Sequence, residues 1–202
     1  MTGEVERTRA TYDAVSAEYH QRTQALWPAL IPHLDWFAGD LPGGAWVVDV
    51  GCGPGRDTRA LRERGLAVLG VDLSVGQLKV DGLSDAVVAD MRTLPIKDGS
   101  VDGVWCQAAF LHVPRDDALN TLIEFRRALR RGGALFLCTA EGNKEGWETK
   151  RYGEEHPRWF VYHRTEALAA MLERSGFEVL SSTIEDTERR WVTTRARRPA
   201  RG

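Results

Sequence analysis

Cysteine is scarce in this chain: there are three in 202 residues, Cys52, Cys106 and Cys138, and none sits in a C-x-x-C pair. That spacing argues against a zinc site and against structural disulfides. Cys106 and Cys138 end apolar runs, where a thiol serves as a small buried hydrophobe. Long hydrophobic runs are missing as well. No stretch has the length of a signal sequence or a membrane-spanning helix, and the opening MTGEVERTRA is polar and charged, so the expectation is a cytoplasmic protein without a membrane partner. An excess of positive charge is also lacking. The 27 basic and 29 acidic side chains give a formal charge of -2, which leaves no global field to attract a phosphate backbone. A small-molecule partner is favoured over nucleic acid. With 43% hydrophobic and 28% charged residues, the chain has material for one buried core and one structural domain, as a monomer or a homodimer.

What is present has the rhythm of an α/β fold. Short apolar runs at 45–50, 67–71, 86–89, 101–106 and 134–138 alternate with helix-like stretches at 57–64 and 115–131, the pattern of a mostly parallel sheet with helices on both faces. The second helix carries Ala118, Leu122, Phe125 and Leu129 on one face, and Gly132-Gly133 is expected to stop it. After Cys138 the pattern changes. A polar and aromatic stretch runs to Arg164, then a helix over 165–175, with Thr165 as N-cap and Gly176 as stop. Segments 177–184 and 190–195, split by polar residues, read as an antiparallel hairpin that finishes the sheet. Ahead of the sheet, 8–19 and 24–37 read as helices broken or kinked near Pro28 and Pro32, a cap on the domain. The division expected is a helical cap over 1–40 and the main domain over 41–198, with an insertion at about 141–164. The arginine-rich end, Arg195 to Arg201, reads as a solvated, frayed terminus.

The strongest chemical signal is DVGCGPG, Asp49 to Gly55, between an apolar strand and a helix. Gly51, Gly53 and Gly55 let the backbone turn sharply and keep side chains away from a nucleotide-like ligand at the strand end. The dinucleotide fingerprint G-x-G-x-x-G would need glycine where Arg56 stands, and Asp49 is a poor neighbour for a pyrophosphate. It suits a cationic amine or sulfonium. A second acid, Asp72 in GVDLS, closes the next strand 21 positions past Gly51, where a carboxylate can accept from a ribose diol. A third, Asp90, could accept from an adenine amino group while Met91 or Leu73 packs on the ring.

At this point the chain resembles the class I S-adenosylmethionine-dependent methyltransferases, especially their small bacterial members. The likeness is carried by VVDVGCGPGRDT, VLGVDLS, VVADMRTLPIKDGSVDGVWCQAAFLHVP, LRRGGALFLCT and SGFEV. It implies a Rossmann-like seven-stranded sheet whose last strand is antiparallel. It also implies S-adenosyl-L-methionine as cofactor, with S-adenosyl-L-homocysteine as product. The glycine loop, with Cys52 and Arg56, would hold the methionine part, Asp72 and Leu73 the ribose side, and Asp90 with Met91 the adenine. Gln107 to His112, Phe110 among them, would line the floor near the sulfonium. Tyr12 and Tyr19 resemble aromatic positions that close over the cofactor, Tyr19 against the cofactor and Tyr12 towards the acceptor.

Departures narrow the acceptor. Relatives acting on nucleobase or amide nitrogens often carry Asn or Asp, Pro-Pro and an aromatic after the fourth strand, where this chain has Gln107-Ala108-Ala109-Phe110. No suitable acid follows Cys106 to complete a site for a hard cation, so no metal is expected. His112, on the loop after the fourth strand, is the candidate general base, since imidazole titrates at about 6.5 when unperturbed. Trp147, Trp159 and Tyr162 belong to an aromatic stretch placed to form a lid or acceptor pocket. The function expected is methyl transfer to an oxygen or nitrogen of a small molecule, possible in secondary metabolism. An RNA or peptide methyltransferase, using the arginine tail as a surface, and a non-catalytic S-adenosylmethionine-binding module are the alternatives.

Overall fold

The computed structural model describes residues 3–200. A seven-stranded sheet forms its centre, in the order β3-β2-β1-β4-β5-β9-β8. Strand β1 (Trp46–Val50) is buried from its second residue onward. It pairs in parallel with β2 (Ala67–Asp72) on one side and β4 (Val101–Gln107) on the other. The chain steps outward from β1 through β2 to β3 (Ala86–Val88), then returns to β4 and steps the other way to β5 (Leu129–Ala140). That reversal opens a crevice at the carboxyl ends of β1 and β4, the place where ligands of open α/β sheets bind. The sheet is closed by β8 (Glu178–Asp186) and β9 (Arg190–Arg197), and β9 runs antiparallel to β5. The Rossmann-like sheet with an antiparallel last strand is therefore the observed fold.

Alternation along the strands sends side chains to two cores. Val48, Val50, Val104, Leu122 and Phe125 fill one face, and Val47, Phe37, Trp105 and Phe136 the other. Each such fully buried side chain contributes on the order of 1.5–3 kcal/mol. Trp105 stacks on Phe136 at 3.7 Å between ring centres, and its indole N–H donates to Asp57 at 3.0 Å, so the indole's one polar group enters this core with an acceptor to receive it.

The helices depart from the sequence expectation in instructive places. Residues 8–19 do not form one helix: α1 (Gly3–Ala14) and α2 (Ser16–Thr23) meet at Val15, which is buried and leaves helical geometry at φ −101° and ψ 15°. Residues 24–37 are not one helix either. Pro28 holds Trp27 extended, a short 3-10 turn follows at Pro28–Leu30, and α3 (Ile31–Gly39) starts with Pro32 in its first turn, where proline is tolerated. Helix α4 (Arg56–Glu63) follows β1 as expected. Helix α5 (Val75–Val80) was not foreseen; it is short, and Ser74 caps it by accepting from the Gln77 N–H at 3.1 Å. Helix α6 (Arg115–Ala128) ends before Gly132-Gly133, because Leu129 pairs with Val101 and already belongs to β5. In α7 (Thr165–Arg174) the cap position is held by Arg164, not Thr165, whose hydroxyl has no partner. Gly176, at φ +87°, ends that helix.

Two further corrections concern surface segments. The aromatic stretch after β5 contains a small antiparallel pair, β6 (Glu145–Glu148) and β7 (Arg158–Val161), with Trp147 opposite Trp159. The arginine-rich end is not frayed as far as it is described. Arg197 forms an ion pair with Asp40 at 2.6 Å, and Arg198 donates to the carbonyls of Arg126 and Leu129. Arg201 lies outside the described residues. No helix is long and apolar enough to cross a membrane among the described residues.

Candidate active site

The loop after β1 turns through three glycines with positive φ, but they serve different neighbours. A Cβ on Gly51 would lie 2.1 Å from the Ala109 Cβ, and one on Gly55 would lie 2.5 Å from Leu83. Those two glycines make room for the protein itself. At Gly53 the nearest atoms are Tyr19 and Gln77 side chains at 3.7 and 3.8 Å, so only this glycine leaves space on the cleft side.

The cleft beside that loop encloses roughly 790 Å³, counted out to its open mouth. Its walls bring together Gly51, Gly53, Asp72, Leu73, Asp90, Met91, Tyr12, Tyr19 and His112, half of the residues singled out from the sequence. The Asp72 carboxylate accepts from the Gly53 N–H through Oδ2 and from the Ser74 N–H through Oδ1, both at 2.8 Å. Burial raises its pKa, and the two N–H groups oppose that rise. The clamp ties the β1 and β2 loops to each other. Asp13 of α1 grips the same region, accepting from the Ser74 hydroxyl at 2.6 Å and the Gly76 N–H at 2.8 Å. Gln77 is buried; its side-chain N–H donates to the Tyr12 carbonyl at 3.1 Å while its Oε1 has no partner among the described residues. Neither Asp13 nor Gln77 was foreseen, and the missed signal was the capping pattern that opens α5.

Asp90 stands in the wall but is occupied. Its oxygens accept from Arg92, the shortest contact being 2.7 Å, and Arg92 bridges on to Asp117 at 2.6 Å. Burial pushes the Asp90 carboxyl up, but the Arg92 bonds outweigh it and hold the group below the usual carboxylate range.

A smaller hollow of roughly 320 Å³ continues past Gly51 and Tyr19. Asp49, Cys52, Arg56, Asp57 and Gln107 line it. Asp49 is buried and accepts from the Thr58 hydroxyl at 2.6 Å. Burial first, and the neighbouring Asp57 charge second, push its carboxyl up to about 8. Arg56 is held by Asp57 at 2.7 Å and reaches Gln107 at 3.3 Å. A cation entering here would meet a carboxyl held in its neutral form by burial and by the neighbouring Asp57 charge.

On the far wall, His112 Nδ1 lies 2.6 Å from the Trp159 carbonyl and Nε2 lies 2.8 Å from the Tyr12 hydroxyl. A carbonyl only accepts, so Nδ1 carries the proton and Nε2 accepts from the phenol. Burial pushes the imidazole down to about 3, helped by Arg158 and Arg189. It is a neutral ring whose lone pair is already engaged, and a weak base.

Not every expected residue reaches the cleft. Phe110 is fully buried in the core, packed near Phe125 and His163. Trp147, Trp159 and Tyr162 are not among the cleft's lining residues. Trp147 is half exposed and meets Trp159 edge to face at 5.2 Å. Tyr162 bonds to Glu148 and Arg189. The strand β7 instead contributes through its backbone, as the Trp159 carbonyl on His112 shows.

The methyltransferase-domain family model matches residues 48–137, the stretch from β1 into β5 that carries both loops of the cleft. The chain is 30% identical over 173 residues to the ubiquinone biosynthesis O-methyltransferase of Bordetella avium (strain 197N), covering 76% of this chain and 70% of that protein. To methyltransferase GfsG of Streptomyces halstedii it is 37% identical over 110 residues, covering 49% of this chain and 39% of the other. Across the curated relatives it matches, the chain spans between 38% and 70% of their length. In fold it is similar to the 1,6-didemethyltoxoflavin-N1-methyltransferase of Burkholderia thailandensis, crystallised with 1,6-didemethyltoxoflavin and S-adenosylhomocysteine. The TM-score is 0.76 at 20% identity, over 98% of this chain and 92% of that one. On its sheet, its glycine loop and these alignments, the chain belongs to the class I S-adenosylmethionine-dependent methyltransferases.

Proposed function

We propose that this chain transfers a methyl group from S-adenosylmethionine to an oxygen or nitrogen of a small molecule. The observation that carries the proposal is the pairing of a half-buried, N–H-clamped Asp72 with a buried Gln77 Oε1 that has no partner among the described residues, in one cleft wall. Each Asp72 oxygen has taken one backbone N–H and keeps capacity for a second bond, and Gln77 Oε1 lacks any. A ribose diol supplies two donors of the required kind. Leu73, Ala89 and Met91 offer apolar surface for a purine. In the adjoining hollow, Asp49 matches a cationic ammonium or sulfonium far better than a pyrophosphate.

When bound, S-adenosylmethionine supplies a methyl group on a positively charged sulfur. The chain's own part is to bind and orient. Asp72 and Gln77 fix the nucleoside end, Asp49 and Arg56 the amino-acid end, and α1 covers the cleft with Thr8, Tyr12 and Val5. Holding two reactants in line can lower a barrier by about 7–11 kcal/mol without any proton transfer.

Calorimetry with S-adenosylmethionine, S-adenosylhomocysteine and NAD tests the proposal. The first two are expected to bind and NAD is not. Micromolar NAD binding with none for S-adenosylhomocysteine would overturn it.

A further inference from the structure

Four arginines stand in or against the two cavities, and three of them are neutralised. Arg9 pairs with Glu6 and Asp13, Arg92 with Asp90 and Asp117, and Arg56 with Asp57. Arg158, on β7, is different. It is 7% exposed, and no carboxylate lies within ion-pair distance of it among the described residues. Among the described residues its guanidinium makes one hydrogen bond, from Nη1 to the Tyr12 hydroxyl at 3.3 Å, and its Nε has no partner. The rings of Tyr152 and Phe160, each 4.9 Å from the guanidinium carbon, and of Tyr12 at 5.9 Å surround it. Aromatic faces relieve a buried cation in part, but they do not replace an anion. The nearest acid in the cluster, Glu148, is committed to Arg189 at 2.6 Å. Arg158, Arg189 and Glu148 together therefore carry a net positive charge behind the Tyr12 and His112 wall of the cleft.

We propose that the methyl acceptor is an oxygen anion of carboxylate type, and that Arg158 is its counter-charge. The inference rests on the methyltransferase proposal above and names the acceptor class of that same site. Two further observations agree with it. Tyr12, whose hydroxyl links Arg158 to His112, is a wall residue of the cleft, so an anionic oxygen arriving there comes within the field of the guanidinium behind that ring. His112 has its lone pair occupied and its basicity suppressed by burial, which is a defect for a hydroxyl acceptor and of no consequence for one already ionised. In the transfer, an acceptor oxygen forms the bond to the methyl carbon. The carbon–sulfur bond breaks with its electron pair going to sulfur, and the ester and thioether products are both neutral. No proton leaves, so no base is required.

The test uses the full chain saturated with S-adenosylhomocysteine and matched pairs of neutral and anionic probes: benzoate against benzamide and hexanoate against hexanamide. Calorimetry is expected to show at least one carboxylate bound tenfold or more tighter than its amide. Arg158→Met should abolish that preference while leaving S-adenosylhomocysteine affinity within about threefold, and Arg158→Lys should keep part of it. Equal binding within each pair, or no binding of either carboxylate, overturns the inference and leaves the methyltransferase proposal standing. A preference that survives in Arg158→Met overturns the role of this residue, and means the guanidinium only packs among aromatics. Should Arg158→Met fail to fold, the wild-type comparison and Arg158→Lys still decide. Failure of S-adenosylhomocysteine to bind the wild-type chain takes both proposals down.

Discussion

The hydroxyl of Tyr12 donates to Nε2 of His112 across 2.8 Å, joining residues 100 positions apart in the chain. This bond occupies the only lone pair that could make His112 a base. A histidine general base is worth roughly 10²–10⁴ in rate. His112→Gln is therefore expected to lower turnover less than tenfold at saturating cofactor. The wild-type profile should show no ascending limb near pH 6.5. A hundredfold loss with unchanged cofactor affinity would reinstate the base.

Asp72 is expected to carry the ribose. Charge-assisted hydrogen bonds contribute about 1.5–3 kcal/mol, so Asp72→Ala should weaken S-adenosylhomocysteine binding at least tenfold. Because the same carboxylate clamps the Gly53 and Ser74 N–H groups, Asp72→Asn, which keeps one acceptor oxygen, should fall between the two. Calorimetry on the three proteins ranks them. An unchanged dissociation constant in Asp72→Ala would reduce the acid to a loop clamp.

Asp49 and His112 should tilt stability with pH in opposite directions. Burial raises the Asp49 carboxyl to about 8, so between the ordinary carboxylate range and pH 8 the folded chain binds more protons than the unfolded one. Its contribution is present at low pH and lost as pH rises through that window. His112, held down to about 3, acts the other way, costing stability as pH falls from 6.5. Asp49→Asn should then remove a loss of stability that builds up as pH rises from the ordinary carboxylate range to 8, and His112→Gln a loss that builds up as pH falls below 6.5. Denaturation midpoints between pH 4 and 9 measure both. A cationic ligand beside Asp49 should also release a proton on binding, visible as a dependence of the binding enthalpy on the buffer's ionisation heat.

Gly51 should tolerate no side chain. Its φ of +73° disfavours any residue with a Cβ by about 1–2 kcal/mol, and the overlap with Ala109 adds overpacking of about 1–3 kcal/mol. Gly51→Ala is expected to melt well below the wild type. Adding Ala109→Gly removes the overlap and leaves the backbone term, so the double variant should melt above the single one. Equal melting of the two would show that Ala109 is not the obstacle.

The parts of this molecule legible in its sequence are those governed by local periodicity. Strands such as β1 and β4 were visible because their apolar runs are bounded by Gly, Asp and Pro. The acids at the ends of β1, β2 and β3 were visible because strand ends are marked by the same residues. Helix α5 was hidden by its length and by Gly76 inside it. The splitting of the first helix at Val15 follows from burial of that side chain, which no spacing announces. Arg158 carried no signal as a charge among charges, since its lack of a carboxylate is a property of the folded neighbourhood. Phe110 was misplaced because an aromatic after a strand fits a cleft floor and a core equally well. Trp147, Trp159 and Tyr162 were drawn into the cavity by composition, whereas the β6–β7 pair turns them elsewhere and leaves a carbonyl in their place.

The ties between α1 and the rest of the cleft have a bearing on biosynthesis. Thr11 donates to the carbonyl of Pro157 and Thr8 accepts from the Trp159 N–H, between residues 146 and 151 positions apart in the chain. During translation the first helix can be held on its α5 side, through Asp13 and the Tyr12 carbonyl, once residue 77 has emerged, but its ties to β7 wait until that strand has left the ribosome. The delay is not mainly thermodynamic, since each doubling of a closed loop adds only about 0.6 kcal/mol. It is one of order, because non-local contacts form after local ones. The sheet from β1 to β5 can assemble as a nascent unit with α1 held on its α5 side alone, so the cofactor's binding surface comes into being before its roof is fastened on both sides.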